Sequence, residues 1–167
     1  MNYSTKSMTR AAMVAAIYCV LTLMFQPISY GPVQFRISEA LNILAAFTPA
    51  AVPGLMIGCV IGNIGSPMGL VDIVVGALAT GLAAVSIRLI AKHCGKATPY
   101  LSIIPPTVFN AVLVGLEVTL FLTDGAPVTL LGFTVIALEV ALGEVVVCGA
   151  LGVPLYYTVK NRLKGLF

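Results

Sequence analysis

Most of this chain is apolar, so its few polar side chains carry whatever chemistry it performs. The densest group lies in Tyr30-Gly-Pro-Val-Gln-Phe-Arg-Ile-Ser-Glu-Ala-Leu-Asn42, where Gln34, Arg36, Ser38, Glu39 and Asn42 sit between two apolar runs. Gly31 and Pro32 make a turn, and a helix after it would set Arg36, Glu39 and Asn42 three residues apart along one ridge. Three more carboxylates, Glu117, Glu139 and Glu144, interrupt later apolar runs, and Asn63 and Asn110 add amides. A carboxylate at membrane depth is costly unless it is paired, protonated or facing water. Three of them with at most one basic partner, Arg36, leave acceptors for a polar ligand rich in N–H donors, cationic ligands included. Two plainer readings compete. The Arg36–Glu39 pair would only neutralise itself in an interfacial turn, and protonated glutamates would only tie helices together.

Spacing says how helices would present these groups. Asn110, Glu117 and Asp124 are seven apart and share one stripe. Glu139 and Glu144 are five apart, about 140° around a helix axis. At about 1.5 Å per residue they lie ~14 Å and ~21 Å below the outer end of their helix. Glu139 is the favoured ligand contact on that depth.

Composition fixes the class. Of 167 residues, 59% are hydrophobic and 9% charged, where a soluble domain carries about 25% charged residues. With a mean hydropathy of +1.06, the chain reads as an all-α integral membrane protein, a single transmembrane domain over residues 1–167. A net charge of +3 is too small to point to nucleic acid. Cys19, Cys59, Cys94 and Cys148 form no C-x-x-C, and His93 is the one histidine. No metal is therefore expected. No phosphate-binding G-x-x-x-x-G-K-[ST], Ser/His/Asp set or H-E-x-x-H is present, so no enzyme activity and no cofactor are expected.

The elements follow. A first helix over about 9–25 carries two small-residue pairs, Ala11/Ala15 and Ala12/Ala16, which allow close helix approach in lipid. No small-x-small cleavage site follows it, so it reads as a retained span. Two short apolar pieces, of roughly a dozen residues each, surround Pro49 and Pro53. At about 20 Å they fall short of a ~30 Å hydrocarbon core, so they are two tilted spans or one re-entrant hairpin. Asn63–Gly69 is a second polar turn. Long helices are expected over about 70–90, 103–122 and 130–157. With six passes, eight of the nine basic residues fall on one face, which the positive-inside rule makes cytoplasmic along with both termini.

Gln34-Phe-Arg-Ile-Ser-Glu-Ala-Leu-Asn42, with Pro49-Ala-Ala-Val-Pro-Gly54 and Gly62-Asn63, resembles the QueT family. These are substrate-binding S components of energy-coupling factor (ECF) transporters assigned to queuosine precursors. The resemblance covers essentially the whole chain. It implies the S-component fold with six transmembrane helices, the second and third short. It also implies a subunit that captures a deazaguanine base from outside and docks on a membrane coupling subunit and two ATPases. Docking would use the alanine pairs of the first helix. The loop after that helix would cap the ligand, with Tyr30 to Phe35 as a lid and Phe35 stacked on the base. The last three spans would line the pocket. Alternatives are an S component for another vitamin-like substrate, a stand-alone proton-coupled carrier using Glu139 or Glu144, and a structural subunit without a ligand.

Overall fold

The computed structural model describes residues 4–29, 35–121 and 128–162. All regular structure among them is helical. Four helical stretches are long and apolar enough to cross a membrane: Thr5–Met24, Leu70–His93, Gly95–Phe121 and Leu130–Arg162. Two shorter apolar helices, Ile37–Ala46 and Ala51–Gly65, accompany them. This is a multi-pass membrane protein.

Its centre is the short helix Ile37–Ala46, which is a 3₁₀ helix rather than an α-helix. Every residue from Ser38 to Ala45 is buried, polar and apolar alike. A helix buried on all sides needs no apolar face, and this one is wrapped by the others. The tighter winding changes what the three-residue spacing does. Where an α-helix would rotate Arg36, Glu39 and Asn42 slowly around the axis, a 3₁₀ helix of three residues per turn stacks them in one column. Its rise of about 2 Å per residue also stretches ten residues to about 20 Å.

Helices α1 (Thr5–Met24) and α3 (Ala51–Gly62) pack closely against each other. Glycines recur every four residues on α3 and face α1. A methyl at Gly58 would lie 2.7 Å from Tyr18 Cβ and 2.8 Å from the Ala15 carbonyl oxygen; one at Gly54 would lie 2.6 Å from that of Ala11. Removing side chains lets the two backbones meet, the usual basis of helix association in lipid. A four-residue helix, α2 (Gln26–Ser29), follows α1. Helix α4 (Leu70–His93) buries Gly76, Ala77, Ala79, Thr80, Ala83 and Ala84 and turns Leu78, Leu82, Val85 and Leu89 outward. Small residues inside and large ones towards lipid invert the soluble pattern, because packing rather than water exclusion selects the interior.

A short helix, α5 (Thr98–Leu101), precedes α6 (Ile104–Phe121). Pro105 and Pro106 fall in the first turn of α6, where a missing N–H costs nothing. Gly115 brings α6 against Ala137 of α7 (Leu130–Val147). The single last helix expected from the sequence is interrupted. Cys148–Gly152 forms one π turn, and α8 (Val153–Arg162) continues beyond it. Pro154 has no N–H to give to the preceding turn, which widens instead of closing an α-type bond.

Candidate functional site

Glu39 stands at the middle of the central helix and is fully buried. Its Oε1 accepts from the Tyr18 hydroxyl of α1 and, at 2.9 Å, from the Thr80 hydroxyl of α4; its Oε2 accepts from the Asn42 amide. One carboxylate thus gathers donors from three elements. Beside it, the Thr22 hydroxyl of α1 donates to Ser38 Oγ at 2.8 Å. The Cys148 thiol of the π turn approaches the Glu39 carbonyl oxygen at 3.8 Å. A carboxylate has about four lone-pair sites, so the protein itself fills most of Glu39.

One turn up the column, Arg36 pairs with Asp72 at the start of α4, 2.8 Å away, both buried. The guanidinium does not pair with Glu39, as the plainer reading of the loop would have it. Asn63 closes the group by donating its amide to the Asp72 carbonyl oxygen at 3.0 Å. Gly76 makes room for this cluster. A methyl there would stand 2.7 Å from Asn63 Nδ2 and 3.3 Å from an Arg36 nitrogen.

Across the bundle, Asn110 of α6 donates to Glu144 Oε1 of α7 at 2.7 Å, and the Cys148 thiol lies 3.7 Å from Glu144 Oε2. Glu117, seven residues after Asn110 on the same helix, is buried, and neither of its oxygens has a hydrogen-bond partner among the described residues. Asp72 and Arg36 act electrostatically on Glu117, and Glu39 and Arg36 act on Glu144. Asp72, Glu117 and Glu144 therefore share the field of one buried guanidinium.

The residues singled out in the sequence separate into groups. Arg36, Glu39, Asn42, Asn63, Asn110, Glu117 and Glu144 are all buried. Glu139 is half-buried and makes no hydrogen bond among the described residues. Phe35 is half-buried too, its N–H bonded to the Ile28 carbonyl oxygen at 3.2 Å. Tyr30, Gln34 and Asp124 lie outside the described residues, as does nearly all of the expected lid. The alanine pairs divide: Ala15 is buried and Ala11 half-buried against α3, while Ala12 and Ala16 are exposed. An apolar groove of about 660 Å³ runs along this side, lined by Met8, both alanine pairs and Ile57 and Ile61 of α3. Sequence reasoning passed over Tyr18, Asp72, Thr80 and Cys148. Tyr18 had a signal, since it continues the Ala11/Ala15 face towards Thr22.

Buried oxygens without a partner among the described residues include Asp72 Oδ2, Asn110 Oδ1 and both oxygens of Glu117. A buried acceptor left unpaired costs about 1–3 kcal/mol, so such a set is suited to a molecule that brings donors.

Comparison with known proteins gives two findings. The profile of the family described as QueT transporter matches residues 8–161. A curated protein of Lactococcus lactis subsp. cremoris (strain MG1363), named queuosine precursor transporter QueT, is 44% identical over 78 residues, 46% of each chain. The match thus spans about half the length of that relative. No solved structure matches the chain.

Proposed function

The chain belongs to the QueT transporter family, and on that premise we propose that it is the membrane-embedded substrate-binding subunit of an importer for a queuosine precursor, a deazaguanine base. The observation that carries this reading is Glu117, a buried carboxylate with both oxygens unpartnered among the described residues and within the field of Arg36 and Asp72. A deazaguanine base presents a ring N–H and an exocyclic amino group side by side. A carboxylate answers that edge with two parallel acceptors, and charge-assisted pairs are the strong ones. Asn110 Oδ1 and Asp72 Oδ2 offer further acceptors, the latter suited to an aminomethyl cation. Arg36, whose guanidinium carries five N–H groups, would supply the donor for the base carbonyl. Depth along the helix favoured Glu139 for the bidentate contact. Burial and an empty hydrogen-bond ledger favour Glu117.

The finer reading is an S component of an ECF transporter. The two short helices count as the second and third of six passes, with both termini and the basic residues cytoplasmic. In that reading energy arrives by docking on a coupling subunit and its ATPases. The face available for docking is the exposed Ala12/Ala16 pair beside the apolar groove, because Ala11 and Ala15 are engaged by α3.

The test separates binding from transport. Cells co-expressing this chain with a coupling subunit and its ATPases should take up a queuosine-precursor base in an ATP-dependent manner. Replacing Ala12 and Ala16 together by Trp should abolish uptake and leave binding by the purified protein intact. Uptake that survives the double substitution would contradict the docking role, and absence of binding by the unmodified protein would contradict the substrate.

A further inference from the structure

Below the Glu39–Asn42 pair, a void of about 10 Å³ lies between the central helix, the end of α5 and the π turn. Its polar lining comes from Glu39, Asn42, Ser102 and Cys148, and its apolar wall includes Pro99 and Ile103. Two of these side chains bring oxygens without a hydrogen-bond partner among the described residues, Asn42 Oδ1 and Ser102 Oγ, on residues 1% and 3% exposed. Asn42 has turned its amide to Glu39, which leaves its carbonyl oxygen to be satisfied from another side. Turning the amide over would set that carbonyl against a carboxylate. The group wanted at the void is therefore a small donor.

We propose that a single water molecule binds here, donating to Asn42 Oδ1 and exchanging a hydrogen bond with Ser102 Oγ, and that it locks the Asn42–Glu39 pair. The volume suits one water, for which about 10–15 Å³ and two to four polar partners suffice. A metal cation fits the lining less well. Calcium takes six to eight oxygen ligands and magnesium a near-octahedral set, whereas only Glu39, Asn42 and Ser102 offer side-chain oxygens. The water extends the column of Arg36, Glu39 and Asn42 across to the connection between α4 and α6. Asn42 is then a positioning residue: with its carbonyl satisfied, its amide stays on Glu39, and Glu39 keeps the central helix fixed beneath the ligand.

The effect on the ligand rests on the function proposed above; occupancy of the void does not. A structure of the purified protein in which individual waters are visible should show one peak within hydrogen-bond distance of Asn42 and Ser102, lost in Ser102→Ala. The melting temperature should be unchanged by added calcium or magnesium. An unoccupied void in the unmodified protein, or stabilisation by either cation, would overturn the water site. Ser102→Ala should also weaken binding of a queuosine-precursor base severalfold, and unchanged affinity once the peak is lost would overturn the positioning role. If the unmodified protein binds no such base while the peak is present, the substrate reading fails and the water site stands.

Discussion

Glu39 and Glu117 are both buried glutamates in a chain with six acidic residues, and the fold treats them in opposite ways. Around Glu39 the protein assembles Tyr18, Thr80 and Asn42 from three elements, so the carboxylate holds the bundle together. Around Glu117 the described residues provide no donor. Burial alone does not mark a ligand contact; what matters is whether the protein has already used the oxygens. The same contrast appears on α1, where Ala11 and Ala15 are consumed by the glycines of α3 and Ala12 and Ala16 are left outward.

Removing Glu39 should have the largest effect. Glu39→Ala strands the Tyr18 hydroxyl and the Asn42 amide, each at about 1–3 kcal/mol when buried without a partner, and leaves the Thr80 hydroxyl only the weak Cys59 sulfur acceptor at 3.6 Å. Thermal unfolding in detergent should show a loss of several kcal/mol, or no folded protein at all. A melting temperature near that of the unmodified chain would place Glu39 on the same footing as Glu117.

Gly58→Ala sharpens the same point from the packing side. Its methyl would press on Tyr18 Cβ and the Ala15 carbonyl oxygen, and overpacking a tight contact costs about 1–3 kcal/mol. Because Tyr18 is the donor from α1 to Glu39, the loss should shrink when Tyr18→Phe is already present. Strict additivity in that double-mutant cycle would argue that the α1–α3 contact and the Glu39 network are independent.

The smallest effect belongs to Glu139. It is half-buried and without a hydrogen bond among the described residues, so Glu139→Gln should stay within ~0.5 kcal/mol in stability. Affinity for the base should change by no more than about twofold. A tenfold weakening would return Glu139 to the pocket.

Much of the geometry of the candidate site was legible in the sequence. The three-residue spacing of Arg36, Glu39 and Asn42 announced a shared face, and the seven-residue spacing of Asn110 and Glu117 announced another. What spacing could not give was rotation. Helix α7 is apolar nearly all round, so nothing in its pattern shows which glutamate turns inward; depth pointed to Glu139, while Glu144 meets Asn110. Nor could it give the Arg36–Asp72 pair, 36 positions apart, which depends on α3 bringing the chain back to where it started. Thr80 and Tyr18 went unnoticed because a neutral hydroxyl in an apolar run reads as filler until a carboxylate is found opposite. The choice between the two alanine pairs was readable in principle. Gly54, Gly58 and Gly62 repeat every four residues and demand a small-residue face opposite, but only the fold shows that Ala11 and Ala15 supply it.

The most direct measurement is calorimetric titration of the purified protein and its Glu117→Gln variant with a queuosine-precursor base, with melting temperatures recorded alongside. Glu117→Gln keeps the shape of the side chain but turns an acceptor into a donor facing the donors of the base. Affinity should fall roughly tenfold to a hundredfold, the equivalent of ~1–3 kcal/mol, with the melting temperature of the ligand-free protein unchanged or raised. Unchanged affinity in a folded variant would remove Glu117 from the site and with it the claim that its unpartnered carboxylate reads the base.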